Sequence, residues 1–332
     1  MQPYAKKEAI KRINRLAATG QPFIFIIDYE QKQTYVEKTD NVDDNLCRYD
    51  FNGKANTAKQ NGHTNEEFTW QPEVPPLNEY LAAFNIVNKH IQTGNSYLTN
   101  LTWQVPVTTD LNMKTIFHRA QARYKLWLKD RFVCFSPEPF VHIRNGRIHS
   151  FPMKGTIDAS LPDAEGQLIR NEKEAAEHAT IVDLIRNDLS MVAEQVQVKR
   201  YRYCERLETN KGAILQTSSE ICGTLPQDHI KRIGDILFRL LPAGSVTGAP
   251  KPRTCTIITE AERYQRGFYT GVMGWCDGQT LESAVMIRFI EQENGRLYYK
   301  AGGGITSRSH AEEEYHELIQ KIYVPIYRDY QD

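Results

Sequence analysis

With 332 residues and 41 basic against 41 acidic side chains, the chain has no net field to draw it to nucleic acid or an anionic membrane. No apolar run approaches the roughly 18 residues that a membrane span requires, and the first fifteen residues are polar and lysine-rich without the apolar core of a secretory leader. A cytoplasmic enzyme of small molecules is expected, and six isolated cysteines without a Cys-x-x-Cys pair read as reduced, mostly buried thiols.

In chain order, residues 23–29 and 33–36 are β-branched and aromatic and read as a first hairpin. Residues 51–76 turn polar and end in a proline cluster, which predicts a long surface loop before a helix over 77–93. Strands are expected over 97–108, 131–135, 140–143 and 196–203, and in a C-terminal run over 270–275, 283–290 and 297–301. Helices are expected over 111–122, 172–192, 230–240, 250–262 and 311–322. Their irregular order among the strands argues against a doubly wound βαβ chain and for an α+β fold of large antiparallel sheets with helices packed outside. No linker divides the chain, so 1–332 reads as one domain: a short β-rich portion over 1–76 and a catalytic core over 77–325.

The candidate chemistry begins at Phe151-Pro152-Met153-Lys154-Gly155-Thr156, where a lysine stands between a proline and a Gly-Thr turn. Lys154 is a candidate nucleophile, and Glu138 of Ser136-Pro137-Glu138-Pro139-Phe140, across a hairpin through Asn145-Gly146, is a candidate acid or base beside it. An ordinary surface lysine is the plainer alternative. On the helix over 172–192, Glu174 fits an N-cap pattern with Asn171, while Glu177 and Asp188 border an apolar stripe. A salt bridge to Arg186 or a neighbour would account for either acid.

The last helix opens with Glu312-Glu313-Glu314-Tyr315-His316-Glu317, and acids in a first turn already favour the helix dipole. Glu314 and Glu317 nevertheless share a face, as do Glu317 and Lys321, which suits a hard cation. Magnesium takes few carboxylates directly, so Glu177 and Glu317 would suffice, with Glu314 acting through water. Pro242 to Lys251 fails the spacing of a nucleotide phosphate loop, but its glycine-rich turn exposes N–H groups to an anion, as does Gly302-Gly303-Gly304. Tyr269 offers a phenol. Arg288, alone in an apolar strand, needs either a protein acid or a substrate carboxylate held bidentately.

Together these segments resemble the chorismate-utilising enzymes over roughly 77–321, most specifically in LPAGSVTGAPKPRT, RGFYTGVMGW, ESAVMIRF and AGGGITSRSHAEEEYHELIQK. The resemblance implies an anthranilate synthase component I-like fold. Within the family, Lys154 of PMKGT is similar to the aminodeoxychorismate synthase component I branch, whereas the anthranilate synthase branch has alanine there. Leu98 stands where water-adding isochorismate synthases place a lysine base.

Carried over by motif, the resemblance makes Lys154 the covalent nucleophile and Glu138 its acid/base partner. Glu177 and Glu317 become magnesium carboxylates, with Glu314 outer or water-mediated. Tyr269 and Arg288 would hold the enolpyruvyl carboxylate, assisted by Gly302, Gly303 and Gly304. Gly155 and Thr156 would form a turn near the ring carboxylate and metal, and Thr247 and Lys321 belong to the substrate-binding set. The implied reaction exchanges the C4 hydroxyl of chorismate for an amino group on the way to 4-aminobenzoate and folate, with ammonia from a separate glutaminase subunit.

Two departures stand out. Gln216 replaces a family histidine and is left to orient substrate, and no Leu-Leu-Glu-Ser type segment is present, which argues against tryptophan feedback. An anthranilate synthase component, or a homologue without catalysis, remains the alternative. As a nucleophile, Lys154 has to be neutral, so burial and a nearby cation are expected to depress it from its usual pKa near about 10.4.

Overall fold

Phe23–Ile27 is apolar at all five positions because, in the computed structural model, both faces of this strand are covered. Phe23, Phe25 and Ile27 pack in a cluster with the helices Lys6–Ala18, Glu172–Ser190 and Ile233–Leu240. Ile24 and Ile26 face the opposite way, into a second cluster with Met273, Phe132 and Phe289. The period of two thus divides one strand between two cores. The structure describes residues 1–57, 67–209 and 212–326, so residues 58–66 of the expected polar loop lie outside the described residues.

Phe23–Ile27 belongs to a ten-stranded sheet in which Thr34–Lys38 pairs with it on one side and Val272–Cys276 on the other. The order continues through Leu281–Val285, Pro139–Arg144, Arg147–Ser150 and Gly212–Thr224 and ends at Met153–Asp158. A nine-stranded sheet is built around Leu98–Thr109, which pairs with Arg296–Ile305, followed by Phe289–Glu293, Phe132–Ser136, Tyr124–Leu128 and Cys47–Phe51. All the pairings are antiparallel, and the inner faces meet in the cluster that holds Ile24 and Phe132. A third cluster fills the outer face of the nine-stranded sheet beneath Leu77–Gln92, Met113–Arg119, Lys251–Ala261 and Ala311–Gln320. This is the expected α+β sandwich with helices outside. No described helix is long and apolar enough to cross a membrane.

Several expected elements differ. Lys6–Ala18 is a helix rather than featureless polar chain, with Ala9, Ile13, Leu16 and Ala17 buried at helical spacing. The single strand expected over 283–290 is two, Leu281–Val285 and Phe289–Glu293, because Arg288 adopts φ 53° and breaks the ladder. Lys154 lies not in a turn but in the strand Met153–Asp158, and Gly302 to Gly304 lie inside the strand Arg296–Ile305, paired with Thr102, Leu101 and Asn100. All six cysteines are free, and four of them are buried.

Two buried polar groups carry consequences for stability. Arg266 and Glu262 are joined at 2.6 Å with side chains 1% and 2% exposed, so removing one partner strands the other. Arg266→Met should lower stability by about 3–5 kcal/mol, read as the urea midpoint; a shift equivalent to less than about 1 kcal/mol would show that the pair contributes little. Between the sheets, His142 lies 2.9 Å from the Tyr124 hydroxyl and 3.2 Å from Glu282, and burial, against the pull of Glu282, pushes its pKa down to about 4. The unfolded ring takes its proton near about 6.5, so acidification from there toward 4 favours the unfolded chain. Between pH 7 and pH 5, His142→Gln should therefore lose less stability than the unaltered protein; equal losses in urea titrations would refute this.

Candidate active site

The end of the ten-stranded sheet, the helix Glu172–Ser190 and the glycine strand enclose a cavity of ≈ 170 Å³ whose walls include Lys154, Glu138, Glu177, Tyr269, Arg288 and Lys321. Gly302, Gly303 and Gly304 form one side of it, and Leu98, at the expected place, another. Segments far apart in sequence are thus gathered, as the motifs required. Gly155, Thr156 and Thr247 do not line this cavity. Thr156 is exposed, and Thr247 is buried with its carbonyl taken by the Asn100 N–H at 2.9 Å. Gly155, at φ 82°, lies against Glu174, whose Oε2 would be 3.0 Å from an added Cβ. Gln216 pairs with Thr156 in the ladder and also does not line the cavity.

Lys154 Nζ lies 2.6 Å from Glu177 Oε2. Burial presses its pKa down, but Glu177, Glu317 and Glu174 outweigh burial and raise it. These carboxylates favour the ammonium form of Lys154, and the depression expected of it depends on a cation taking up their charge. At the cavity, the lysine whose pKa is lowered is Lys321. Burial depresses it most, against Glu317 at 2.6 Å, with Arg288 and Lys154 adding like charge. Lys321 also donates to the Gly302 carbonyl at 2.9 Å.

Glu177 therefore pairs with Lys154 rather than Arg186, which binds Asp183 at 2.7 Å, while Asp188 pairs with Lys251 at 2.7 Å. Glu138 is raised by burial, opposed first by the Ser245 hydroxyl and then by the charges of Arg288, Lys321 and Lys154. It is a carboxyl group suited to carrying a proton. Arg288 has no acidic partner among the described residues; its Nε is buried without a hydrogen bond and its guanidinium lies 5.4 Å from the centre of the Tyr323 ring. Tyr269 is 4% exposed, and burial raises its phenol, so it stays a donor.

The acids assigned to a metal stand at one end. A Cβ on Gly303 would lie 3.5 Å from Glu314 Oε2 and 3.6 Å from both Glu317 Oε1 and Lys321 Nζ, so these groups stand directly behind the glycine strand, although Glu314 and Glu317 do not line the cavity themselves. Glu314 is buried and its pKa is raised, first by burial, with Glu317 and Glu177 contributing. Among the described residues no three His, Cys, Asp or Glu side chains converge as a chelating group, because Glu177 and Glu317 are turned to their lysines.

The charges still fit a divalent cation. Glu174, Glu177, Glu314 and Glu317 are met by the charges of Lys154, Lys173 and Lys321, and Glu174 Oε2 is buried without a partner. Glu174 is a site residue that motif reading took for a helix cap. Its backbone N–H does bind Asn171 Oδ1, at 3.0 Å, but its carboxylate faces Gly155. Ser245 and the Arg266–Glu262 pair also escaped notice; the i,i+4 spacing of that pair was the only signal.

A two-sheet sandwich with a lysine, a proton-carrying carboxyl and an unpaired arginine around one cavity defines an enzyme that takes up an acidic small molecule. The family of chorismate binding enzymes matches residues 14–326, and the chain belongs to it. It is 50% identical over 317 residues to a protein of Haemophilus influenzae named "Uncharacterized PabA-like protein", covering 96% of each chain. It is 30% identical over 256 residues to aminodeoxychorismate synthase component 1 of Bacillus subtilis, covering 73% of this chain and 53% of the relative. Among solved structures, anthranilate synthase component I from Streptococcus pneumoniae superposes with a TM-score of 0.65 at 27% identity, covering 77% of this chain and 59% of that one.

Arg288 combines an unpaired charge with a left-handed backbone, both of which disfavour the empty fold. Arg288→Gln should accordingly cost less than about 1 kcal/mol of stability without ligand while abolishing the rise in Tm produced by chorismate. A preserved ligand shift in a thermal melt would exclude Arg288 from anion binding.

Proposed function

We propose that the chain converts chorismate and ammonia to 4-amino-4-deoxychorismate through a covalent adduct on Lys154. The observation that supports this most directly is that Lys154, Glu138 and Arg288 line one cavity whose Leu98 position offers no base to activate water. Arg288 and Tyr269 hold the enolpyruvyl carboxylate, and the ring lies between Lys154 and Glu138. The Lys154 amine, once it has lost its proton to solvent, forms a bond to C2 as both conjugated ring double bonds shift toward C4 and the C4–O bond breaks. Glu138 gives its proton to the departing hydroxyl, which leaves as water. Ammonia then bonds to C4, both double bonds return, the C2–N bond to Lys154 breaks, and the protons shed by the added nitrogen restore Glu138 and Lys154. The enolpyruvyl ether is untouched throughout.

Glu177 and Glu317 would hold a magnesium ion directly, with Glu314 and Glu174 through water. When bound, that ion draws electron density from the ring carboxylate and occupies the acid that otherwise keeps Lys154 charged. Ammonia is assigned to a separate glutaminase subunit, since the cysteine in a Gly-x-Cys-x-Gly sequence, Cys276 between Gly274 and Gly278, ends the buried strand Val272–Cys276 with its thiol pushed up to about 12 by burial, unlike a nucleophile.

With chorismate, magnesium and ammonium, the released product should keep its enolpyruvyl group, identified by mass. Lys154→Ala should reduce its formation on the order of 10³-fold. Fluorescent anthranilate as the product, or full turnover by the alanine variant, would sink the reading.

A further inference from the structure

Lys154 is placed on a strand that gives its backbone little support. Met153–Asp158 is the last strand of its sheet, and its ladder with Gly212–Thr224 shifts register between Met153↔Ser218 and Thr156↔Gln216, so Lys154 itself has no regular backbone partner. Two contacts replace the ladder there. The Thr217 hydroxyl donates to the Lys154 carbonyl, and the Ser219 N–H donates to the Pro152 carbonyl at 3.0 Å.

Ser219 then reaches the helix that carries Glu177. Its Oγ accepts from the Arg202 N–H at 2.9 Å and lies 2.6 Å from Nε2 of His178, whose ring is fully buried under the edge of Tyr201. With one acceptor direction of Oγ taken by Arg202, its proton is free for the imidazole. His178 adjoins Glu177 in the chain, and Glu177 holds Lys154 Nζ at 2.6 Å. The contacts therefore close a ring that runs from Lys154 through Glu177, His178, Ser219 and Pro152 back to Lys154.

We propose that His178 is a positioning residue that, through Ser219, sets the distance between Glu177 and Lys154. This inference rests on the proposed function, in which Lys154 forms the adduct and Glu177 would hold the metal, but it concerns their placement and not turnover. His178 does not line the cavity, so it acts on the pair through its contacts behind the cavity wall.

The test is a zero-length carbodiimide cross-link, which joins a carboxylate to an amine only when the two are in contact. The Lys154–Glu177 and Lys321–Glu317 pairs are each 2.6 Å apart at the same cavity, so the second serves as an internal reference on other elements. By mass spectrometry, the ratio of the first cross-link to the second should fall roughly tenfold in His178→Ala and in Ser219→Ala. It should return to within about twofold in His178→Gln, whose amide can accept the same bond.

An unchanged ratio in Ser219→Ala overturns the proposal, as does a wild-type protein that forms only the Lys321–Glu317 link. A fall without rescue by glutamine assigns the effect to lost ring packing and overturns it too. Should His178→Ala fail to fold, Ser219→Ala decides, because it leaves the ring in place. Chorismate turnover enters none of these readings, so failure of the reaction assignment and failure of the latch are separable.

Discussion

Arg266 and Glu262 form the contact on which both walls of the cavity rest. Arg266 donates to the Asn100 carbonyl at 2.7 Å and to the Val246 carbonyl at 2.8 Å, and both of these residues line the cavity. Its own carbonyl accepts from Tyr269 N–H at 3.1 Å and from Lys300 Nζ at 3.1 Å. Glu262 accepts from the N–H and hydroxyl of Thr102, at 2.9 and 2.7 Å. One buried ion pair thereby fixes the glycine strand's neighbour, the loop bearing Ser245 and the backbone that presents Tyr269. Such a pair is costly to bury and is tolerated only when its remaining donors and acceptors are satisfied, as these are. Its yield is therefore geometry more than net stability: three chain segments are held at one spacing.

The alternation of the strands and the stripes of the helices were legible because they depend on local periodicity. Lys6–Ala18 escaped although its apolar positions are regular, because lysines and arginines are interleaved with them on a short segment. The site's punctuation misled in a different way. Pro152 and Gly155 suggest a turn, but the φ of 82° at Gly155 accommodates a register shift within a strand. Three glycines in a row suggest a loop. They form a strand because a Cβ at Gly302 would stand 2.4 Å from the Leu101 carbonyl, so glycine is what permits so close an approach. Arg288 shows the converse: apolar neighbours imply a continuous strand, and the backbone breaks there to turn a cation into the cavity. Motif resemblance recovered which residues meet, but not the partners they take. Lys154 and Glu177 are 23 positions apart, and no spacing rule announces their contact.

The cavity is left electrostatically unfinished in two places, and in opposite senses. Glu174, Glu177, Glu314 and Glu317 are met by Lys154, Lys173 and Lys321, and Glu174 Oε2 stays without a donor in a buried place. Arg288 makes no ion pair with a protein acid among the described residues, and its Nε is buried without a hydrogen bond, near a phenol that burial keeps protonated. Either imbalance alone would read as a structural defect, since buried polar groups are normally paired. Two of opposite sign at one cavity are instead what a site looks like when its polar groups are completed by what binds there.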